Sequence, residues 1–322
     1  MITRVSTESA SFISDVCKVL GISRQAYYQR LETMEKEKYQ TEIVLELVRD
    51  LRKLMPRVGG RKLYHLLEED FKGLDYKLGR DAFFDVLREY DLLVKRRKSY
   101  TKTTNSFHRF RVYQNLILDL EVSRANQVFV ADITYIRVAG GFMYLSLITD
   151  LYSRRIVGWC LGDTLDAVCS IQALEMALGE VKDCPSLIHH SDRGVQYCSR
   201  DYTKILLAGK VSISMAEAGN PYENAVAERV NGILKDEFYL DQTFASARVA
   251  TKATEEAIKI YNNLRPHLSL DMKTPDEVYY GRKKSDKFNQ KLFPPRGEIH
   301  VAAYSAAIDK FGTSTNTGFI NN

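Results

Sequence analysis

Between residues 127 and 237 the hydrophobic pattern changes period in a definite order, and that order restricts the fold more than any other feature of the chain. Three segments rich in Val, Ile and aromatic residues follow one another: QVFVADITYIRV (127–138), GFMYLSLITDLY (141–152) and RRIVGWCLG (154–162). A Gly-Gly turn and a short Ser-Arg turn join them, which predicts an antiparallel meander. An amphipathic helix over about 164–181 comes next, then a strand SLIHHSD, a helix near 199–209, a short strand VSISM and a helix starting at Pro221. Strands separated by helices are joined by parallel crossovers, so the order βββαβαβα predicts a mixed sheet with helices on its faces.

That order is the order of the RNase H-like fold, α/β (α+β) in class, in which the first and fourth strands are neighbours. A chain of 322 residues is long enough for two or three such units. Its 45% hydrophobic and 27% charged residues suit a globular protein, and no apolar run reaches the ~18 residues needed to span a bilayer. The start, MITRVSTESASF, lacks the basic, apolar and small-residue pattern of a secretory signal. Five scattered cysteines, Cys17, Cys160, Cys169, Cys184 and Cys198, contain no C-x-x-C. They predict a reducing compartment, no disulfide framework and no cysteine zinc site.

The region before the strands reads as an all-α helix-turn-helix region. Residues 11–31 read as two short helices around Gly21, with Ser23 capping the second. In a helix-turn-helix that second helix, carrying Arg24, Gln25, Tyr28 and Arg30, would enter a major groove; a plain helical hairpin would show the same pattern. A separate helix from Thr41 carries Ile43, Leu47, Leu51 and Leu54 and stops at Pro56. GRKLYHLLEEDF and GRDAFFDVLREYDLL form a further pair, with Arg80 opening the candidate reading helix. From Lys95 to Arg111, KRRKSYTKTTNSFHRFR holds seven Lys or Arg and no acid, beginning with Lys95, Arg96, Arg97 and Lys98. It suits phosphate contacts or a solvated linker, and tandem helix-turn-helix units beside it favour DNA. The expected divisions are 1–40, 41–94, a basic arm 95–122, a core 123–282 and a tail 283–322.

Carboxylates then stand out. Asp132 lies inside an apolar strand between Ala131 and Ile133, where an unpartnered charge is costly to bury, although an edge aspartate facing water would read alike. Asp192 follows the fourth strand in a polar turn, where ligands sit in open α/β sheets and where turn-forming aspartates also sit. AEAGNPYENAVAERV (216–230) offers three glutamates. Glu217 reads as loop. Glu223 has a capping task, with Asn220 as N-cap and Pro221 at the first helical position. Glu228 lies two turns in, beyond capping, and shares a helix face with Asn224 and Lys235. Gly232, one turn later, leaves room on that side. His189 and His190 are adjacent in a strand and so point to opposite faces, which argues against a metal pair and predicts one packed and one near the site. Asp150 reads as a turn residue beside Ser153.

VADITYI, HSDRGVQYCS and NAVAERVNGILKDEF resemble the three catalytic blocks of the DDE integrases and transposases, with 35 residues between Asp192 and Glu228. The match is to transposases of bacterial insertion sequences made from two overlapping reading frames, this chain resembling the second-frame product. YLSLITDLYSRRIVGW, YNNLRPHLSLDMKTPDEVY and GRKLYHLLEEDF add to the resemblance, which covers roughly residues 40–282. Phe129 stands where the family usually has Trp, and Glu223 replaces its commoner Asp. The resemblance implies that Asp132, Asp192 and Glu228 bind two Mg²⁺ ions, with Mn²⁺ as a substitute, and that Lys235 contacts DNA phosphate. It implies hydrolysis at the element ends followed by 3′-hydroxyl strand transfer. It further implies double-stranded DNA as partner, a homo-oligomer on DNA, involvement of an upstream-frame product, no membrane and a cytoplasmic, nucleoid-associated location. A non-enzymatic DNA-binding protein on the same scaffold, or an RNase H-type nuclease without strand transfer, would share the core.

Overall fold

The computed structural model describes residues 10–72, 78–95, 111–181, 186–217 and 224–281. By packing the chain divides into two compact units, Met1–Lys53 and Leu54–Asn322.

In the first unit, helix α1 (Ala10–Leu20) turns into α2 (Arg24–Leu54) through Gly21, whose φ of +67° is open to glycine at little cost. Ser23 caps α2, its Oγ accepting the Ala26 N–H at 3.1 Å. Ile13 and Cys17 of α1 bury against Tyr27 and Leu31 of α2. The short second helix expected here does not end near 31, and the division at 40/41 falls inside a single helix of 31 residues. The reason is local. Residues 24–54 hold neither Gly nor Pro, and the polar stretch that reads as a break is made of strong helix formers, braced by a Lys36–Glu32 pair at 2.9 Å.

The second unit opens with α3 (Gly60–Lys72) and α4 (Arg80–Glu89). Leu63, Leu67 and Phe71 of α3 and Phe83 and Leu87 of α4 are buried, and the Phe71 and Phe83 rings meet at 5.4 Å. The sheet follows. Strands β1 (Val128–Val138), β2 (Gly141–Asp150) and β3 (Ile156–Gly162) form the expected antiparallel meander. After α5 (Ala167–Gly179) come β4 (Ile188–Ser191), α6 (Val195–Cys198), α7 (Arg200–Ala208), β5 (Ser212–Met215) and α8 (Ala225–Glu237). The strand order is β3-β2-β1-β4-β5, with β4 parallel to both β1 and β5. This is the RNase H-like arrangement. One strand escapes the sequence pattern: β6 (Thr243–Phe244) pairs parallel with the end of β1, and two residues are too few to carry a period.

Alternation along β1 sorts its side chains between two layers. Phe129, Ala131 and Ile133 join the core made with α5, α6 and α7, whereas Val128 and Val130 pack against Ala227 of α8. On the first face Gly158 of β3 permits close approach of α5, because a Cβ there would stand 2.0 Å from the Ala173 carbonyl oxygen. Two cysteines depart from expectation. Cys160 of β3 and Cys169 of α5 are disulfide-bonded, with Cα atoms 5.4 Å apart. Their separation of nine residues carries no motif; only the packing of that helix on that strand brings them together. Cys17 and Cys198 are buried and not disulfide-bonded, and Cys184 lies outside the described residues.

Helix α9 (Ala247–Asn263), a 3₁₀ turn at Leu268–Leu270 and α10 (Pro275–Tyr280) complete the unit. Asn262 clasps β3 like an added strand residue. Its Oδ1 accepts the Ile156 N–H at 3.0 Å and its Nδ2 donates to the Ile156 carbonyl at 2.9 Å. Asp150 is the turn residue expected, Oδ1 accepting from the Ser153 N–H and Oγ–H at 2.7 and 2.6 Å and Oδ2 from the Asn126 N–H at 2.8 Å. Among the described residues no helix is long and apolar enough to cross a membrane. Arg96, Arg97 and Lys98 of the basic arm and the tail from 283 lie outside the described residues.

Candidate active site

Parallel pairing of β1 with β4 sets Ala131 opposite Ser191. Asp132, within β1, and Asp192, just past the end of β4, are the next residues along each chain, so their backbones lie side by side beyond that rung, roughly 5 Å apart. Asp132 lies on the face shared with Val130 and therefore turns toward α8. It is half-buried, and its Oδ2 accepts a hydrogen bond from Asn231 Nδ2 at 2.8 Å while Oδ1 accepts from the Ile133 N–H at 2.9 Å. Burial pushes its pKa up to about 7; the Asp192 carboxylate adds to the rise, those two hydrogen bonds oppose it, and Glu228 contributes a smaller push. Asp192 Oδ1 accepts the Gly194 N–H at 2.9 Å, a close turn in which a Cβ at 194 would crowd that same oxygen at 3.0 Å.

Helix α8 supplies the third carboxylate in a setting different from the one expected. The helix begins at Ala225 with Asn224 at its N-cap position, and the Glu228 N–H donates to the Asn224 carbonyl at 3.1 Å. Glu228 is thus in the first turn, where the helix dipole favours a carboxylate, rather than two turns in. The difference arises because Asn224 is drawn onto the sheet: its Nδ2 donates to the Ala131 carbonyl at 3.1 Å, and its backbone is not helical. Asn220, Pro221 and Glu223 lie outside the described residues, whereas Glu217 is exposed beyond β5, in the loop expected. Among the described residues no group of three or more His, Cys, Asp or Glu gathers closely enough to hold a metal ion. The sheet joins the two aspartates, and exposed Glu228 stands at the adjoining helix start.

The face of α8 toward the site bears Asn224, Glu228, Asn231 and Lys235. Lys235 Nζ lies 4.0 Å from the Tyr135 ring centroid. Burial lowers its pKa, and the attraction of Asp132 works the other way. Asn231 escaped the sequence reading, although its place three residues after Glu228 on the same helix face was the signal that could have found it. Gly232 has open space where a side chain would stand, as anticipated. Both histidines are fully buried, His189 with Nε2 2.8 Å from the Tyr202 hydroxyl and His190 with Nδ1 2.8 Å from Ser214 Oγ, and the register sets His190 opposite Val130, two residues before Asp132. Alternation sends them into opposite layers, and both layers are filled.

The candidate DNA-contacting side chains lie on other elements of the chain. Arg24, Gln25, Tyr28 and Arg30 are exposed on the first turns of α2, Arg80 opens α4 beside Asp81 at 3.1 Å, and Lys95 pairs with Asp91 at 3.5 Å.

The chain matches the Integrase core domain family over residues 122–221, and a second Integrase core domain family over 209–275. It is 34% identical over 264 residues to the Shigella sonnei "Insertion element IS600 uncharacterized 31 kDa protein", covering 81% of this chain and 96% of that one. It is 28% identical over 261 residues to "Transposase InsF for insertion sequence IS3A" of Escherichia coli (strain K12), covering 79% and 89%. Among solved structures it is similar to the HTLV-2 integrase catalytic core domain in complex with magnesium (trimeric form), at a TM-score of 0.40 and 17% identity, covering 48% of this chain and 97% of that one. With an RNase H-like sheet, paired aspartates at its parallel rung and a relative matched nearly end to end, the chain belongs to the DDE transposases of insertion sequences.

Proposed function

We propose that this transposase cleaves DNA at the ends of its element and joins the freed 3′-hydroxyl to a second DNA, with Asp132, Asp192 and Glu228 as its catalytic carboxylates. The observation that carries the reading is the side-by-side placement of Asp132 within β1 and Asp192 just past the end of β4, with Glu228 on the helix that packs against β1. The donor set suits a hard divalent cation: all-oxygen carboxylates with no thiolate or imidazole, and a carboxyl whose ionisation is disfavoured by burial and then by the neighbouring Asp192, a cost that a bound positive charge would offset. Asp132 and Asp192, with Glu228 from α8, would hold two Mg²⁺ ions, or Mn²⁺, which when bound activate the attacking oxygen and stabilise the leaving one in phosphoryl transfer.

The chain's other groups prepare that chemistry. Asn231 and the Ile133 N–H orient the two oxygens of Asp132, and the Gly194 N–H orients Oδ1 of Asp192. Asn224 fixes the start of α8 to β1, so that Glu228 is presented beside the strand ends. Lys235, poised on Tyr135, would meet a DNA phosphate next to the reacting one. Recognition of the element end would fall to Arg24, Gln25, Tyr28 and Arg30 on α2, to Arg80 on α4 and to the arm beginning at Lys95. Residues 123–282 would form the catalytic domain and 95–122 the link to it. Joining two ends favours a homo-oligomer on DNA, and the relation to second-frame products favours cooperation with an upstream-frame segment, on the nucleoid in the cytoplasm.

The test is a cleavage and joining assay with Mg²⁺ or Mn²⁺ on duplex DNA carrying the element end. Glu228→Gln should abolish both steps while leaving DNA binding intact; equal turnover by wild type and variant would remove Glu228 from the mechanism. Nicking without joined product would instead favour the nuclease reading.

A further inference from the structure

The opposite face of α8 borders a cleft that the catalytic reading does not use. It encloses about 350 Å³ and lies between α8, α3, the turn after β2 and the segment following α9. Its lining holds four cations, Lys62, Arg154, Arg229 and Arg265, together with His267, and no acidic side chain. Behind the lining, Glu237 answers two of the four, and Asp150 attracts a third, Arg154. Lys62 Nζ lies 2.6 Å from Glu237 Oε1, and Arg265 grips both Glu237 oxygens at 2.7 and 2.8 Å. The positive charge of the cleft therefore exceeds what the protein itself neutralises.

Two observations indicate that this charge is built for a ligand. Lys62, Arg265 and His267 are each more than nine-tenths buried and form a floor, while Arg229 is exposed at the mouth. A cationic floor out of water is unfavourable unless an anion joins it. The second is His267, whose Nε2 is buried with no hydrogen-bond partner although the residue lines the cleft. Burial and then the same four cations push its pKa down to about 2, which leaves a neutral ring able to donate one N–H.

We infer that this cleft binds a phosphate group of the DNA backbone, held by Arg229 and Arg154 at the mouth over the Lys62, Arg265 and His267 floor. The inference rests on the reading that the chain acts on DNA. Geometry supports a strand that wraps α8: a helix with its side chains is about 10–12 Å across, and each DNA strand carries a phosphate every ~3.4 Å of axis. Half the circumference of such a helix is roughly 16–19 Å, so a phosphate in the cleft would lie about five nucleotides from one at Asp132 on the other face. The cleft would act as a second grip that orients the strand.

The test uses the full chain and a fluorescent duplex in metal-free buffer, with anisotropy followed over a salt series, for wild type, Arg229→Gln and the Arg154→Gln/Arg229→Gln double variant. Arg229 is exposed, and unchanged circular dichroism would verify its fold. The slope of log K against log salt should flatten by about one for the single variant and further for the double, with about a fivefold to tenfold loss of affinity at ~100 mM salt. Duplex binding with unchanged slopes in both variants overturns the cleft assignment and leaves the DNA reading standing. No duplex binding by the wild type overturns both. In a parallel thermal-shift arm, stabilisation by inorganic phosphate that the double variant loses, with duplex affinity unaltered, would make the cleft a free-anion site and overturn the DNA assignment.

Discussion

Asp132→Asn should make the metal-free protein more stable while removing its catalytic function. In the folded chain the Asp132 carboxyl is pushed from the usual 3.8 to about 7, by burial first and by Asp192 next. Between those values the folded state holds a proton that the unfolded chain has released. Stability therefore falls as pH rises through this window, and the loss is complete above about 7. The full difference corresponds to ~4 kcal/mol. Because the side chain is only half-buried and the charged form keeps the hydrogen bonds from Asn231 and Ile133, about 2 kcal/mol is the better expectation for an asparagine that relieves the charge. For a domain of this size that is roughly 4–8 °C in Tm. The assay is thermal or urea unfolding of wild type and variant in chelator at about pH 8 and about pH 4.5. The variant should lead at the higher pH and nearly tie at the lower. Adding Mg²⁺ should then raise the wild-type Tm and leave the variant unmoved, since a cation that binds only the folded site stabilises it by mass action. A variant no more stable than wild type at pH 8, or a gain independent of pH, would refute the electrostatic account of this site.

Three further outcomes follow from the packing. Gly158→Ala should cost at least about 3 kcal/mol or prevent accumulation of folded protein, because its Cβ would meet the Ala173 carbonyl oxygen at 2.0 Å; a soluble variant with wild-type Tm would contradict that contact. Glu237→Gln should cost about 3–5 kcal/mol in urea unfolding, since it leaves Lys62 and Arg265 buried without their shared counter-charge. Burial opposes ionisation of Glu237, yet Arg265 and Lys62 hold its pKa below the usual value, so its contribution should persist at neutral pH and fade as the solution is acidified through the carboxylate range. Asn231→Leu should keep the fold within about 1 kcal/mol and slow DNA cleavage about tenfold to a hundredfold, as expected for loss of a group that orients a metal-binding carboxylate; wild-type turnover would show that Asp132 needs no such support.

Much of this was legible in one dimension, for identifiable physical reasons. Period-two alternation with turn residues between the runs located the meander, and the later alternation of strands with helices completed the order of the RNase H-like fold, in which the first and fourth strands are neighbours. Asp132 and Asp192 followed from there, because a charge inside an apolar strand and one just beyond another are conspicuous against their surroundings. The capping of α2 by Ser23 and the turn role of Asp150 were equally local, depending on side chains that reach only a few residues along the chain. Most departures from expectation came from distant segments; α2 is the local exception, because its 31 residues contain neither Gly nor Pro and continue as one helix.

The sequence by itself determined the order of elements, the candidate carboxylates and, through the matched blocks, the family, since each depends on periodicity or on residue types at set spacings. Tertiary structure alone decided where α8 begins, because the Asn224 amide is captured by the Ala131 carbonyl 93 residues away. It decided which asparagine supports Asp132, which cysteines meet across β3 and α5, and that both histidines are enclosed. It also assembled the cationic cleft from residues as far apart as Lys62 and His267. Like charges spread along a sequence carry no sign that they will converge; their repulsion becomes a property of the molecule only when packing removes the water between them.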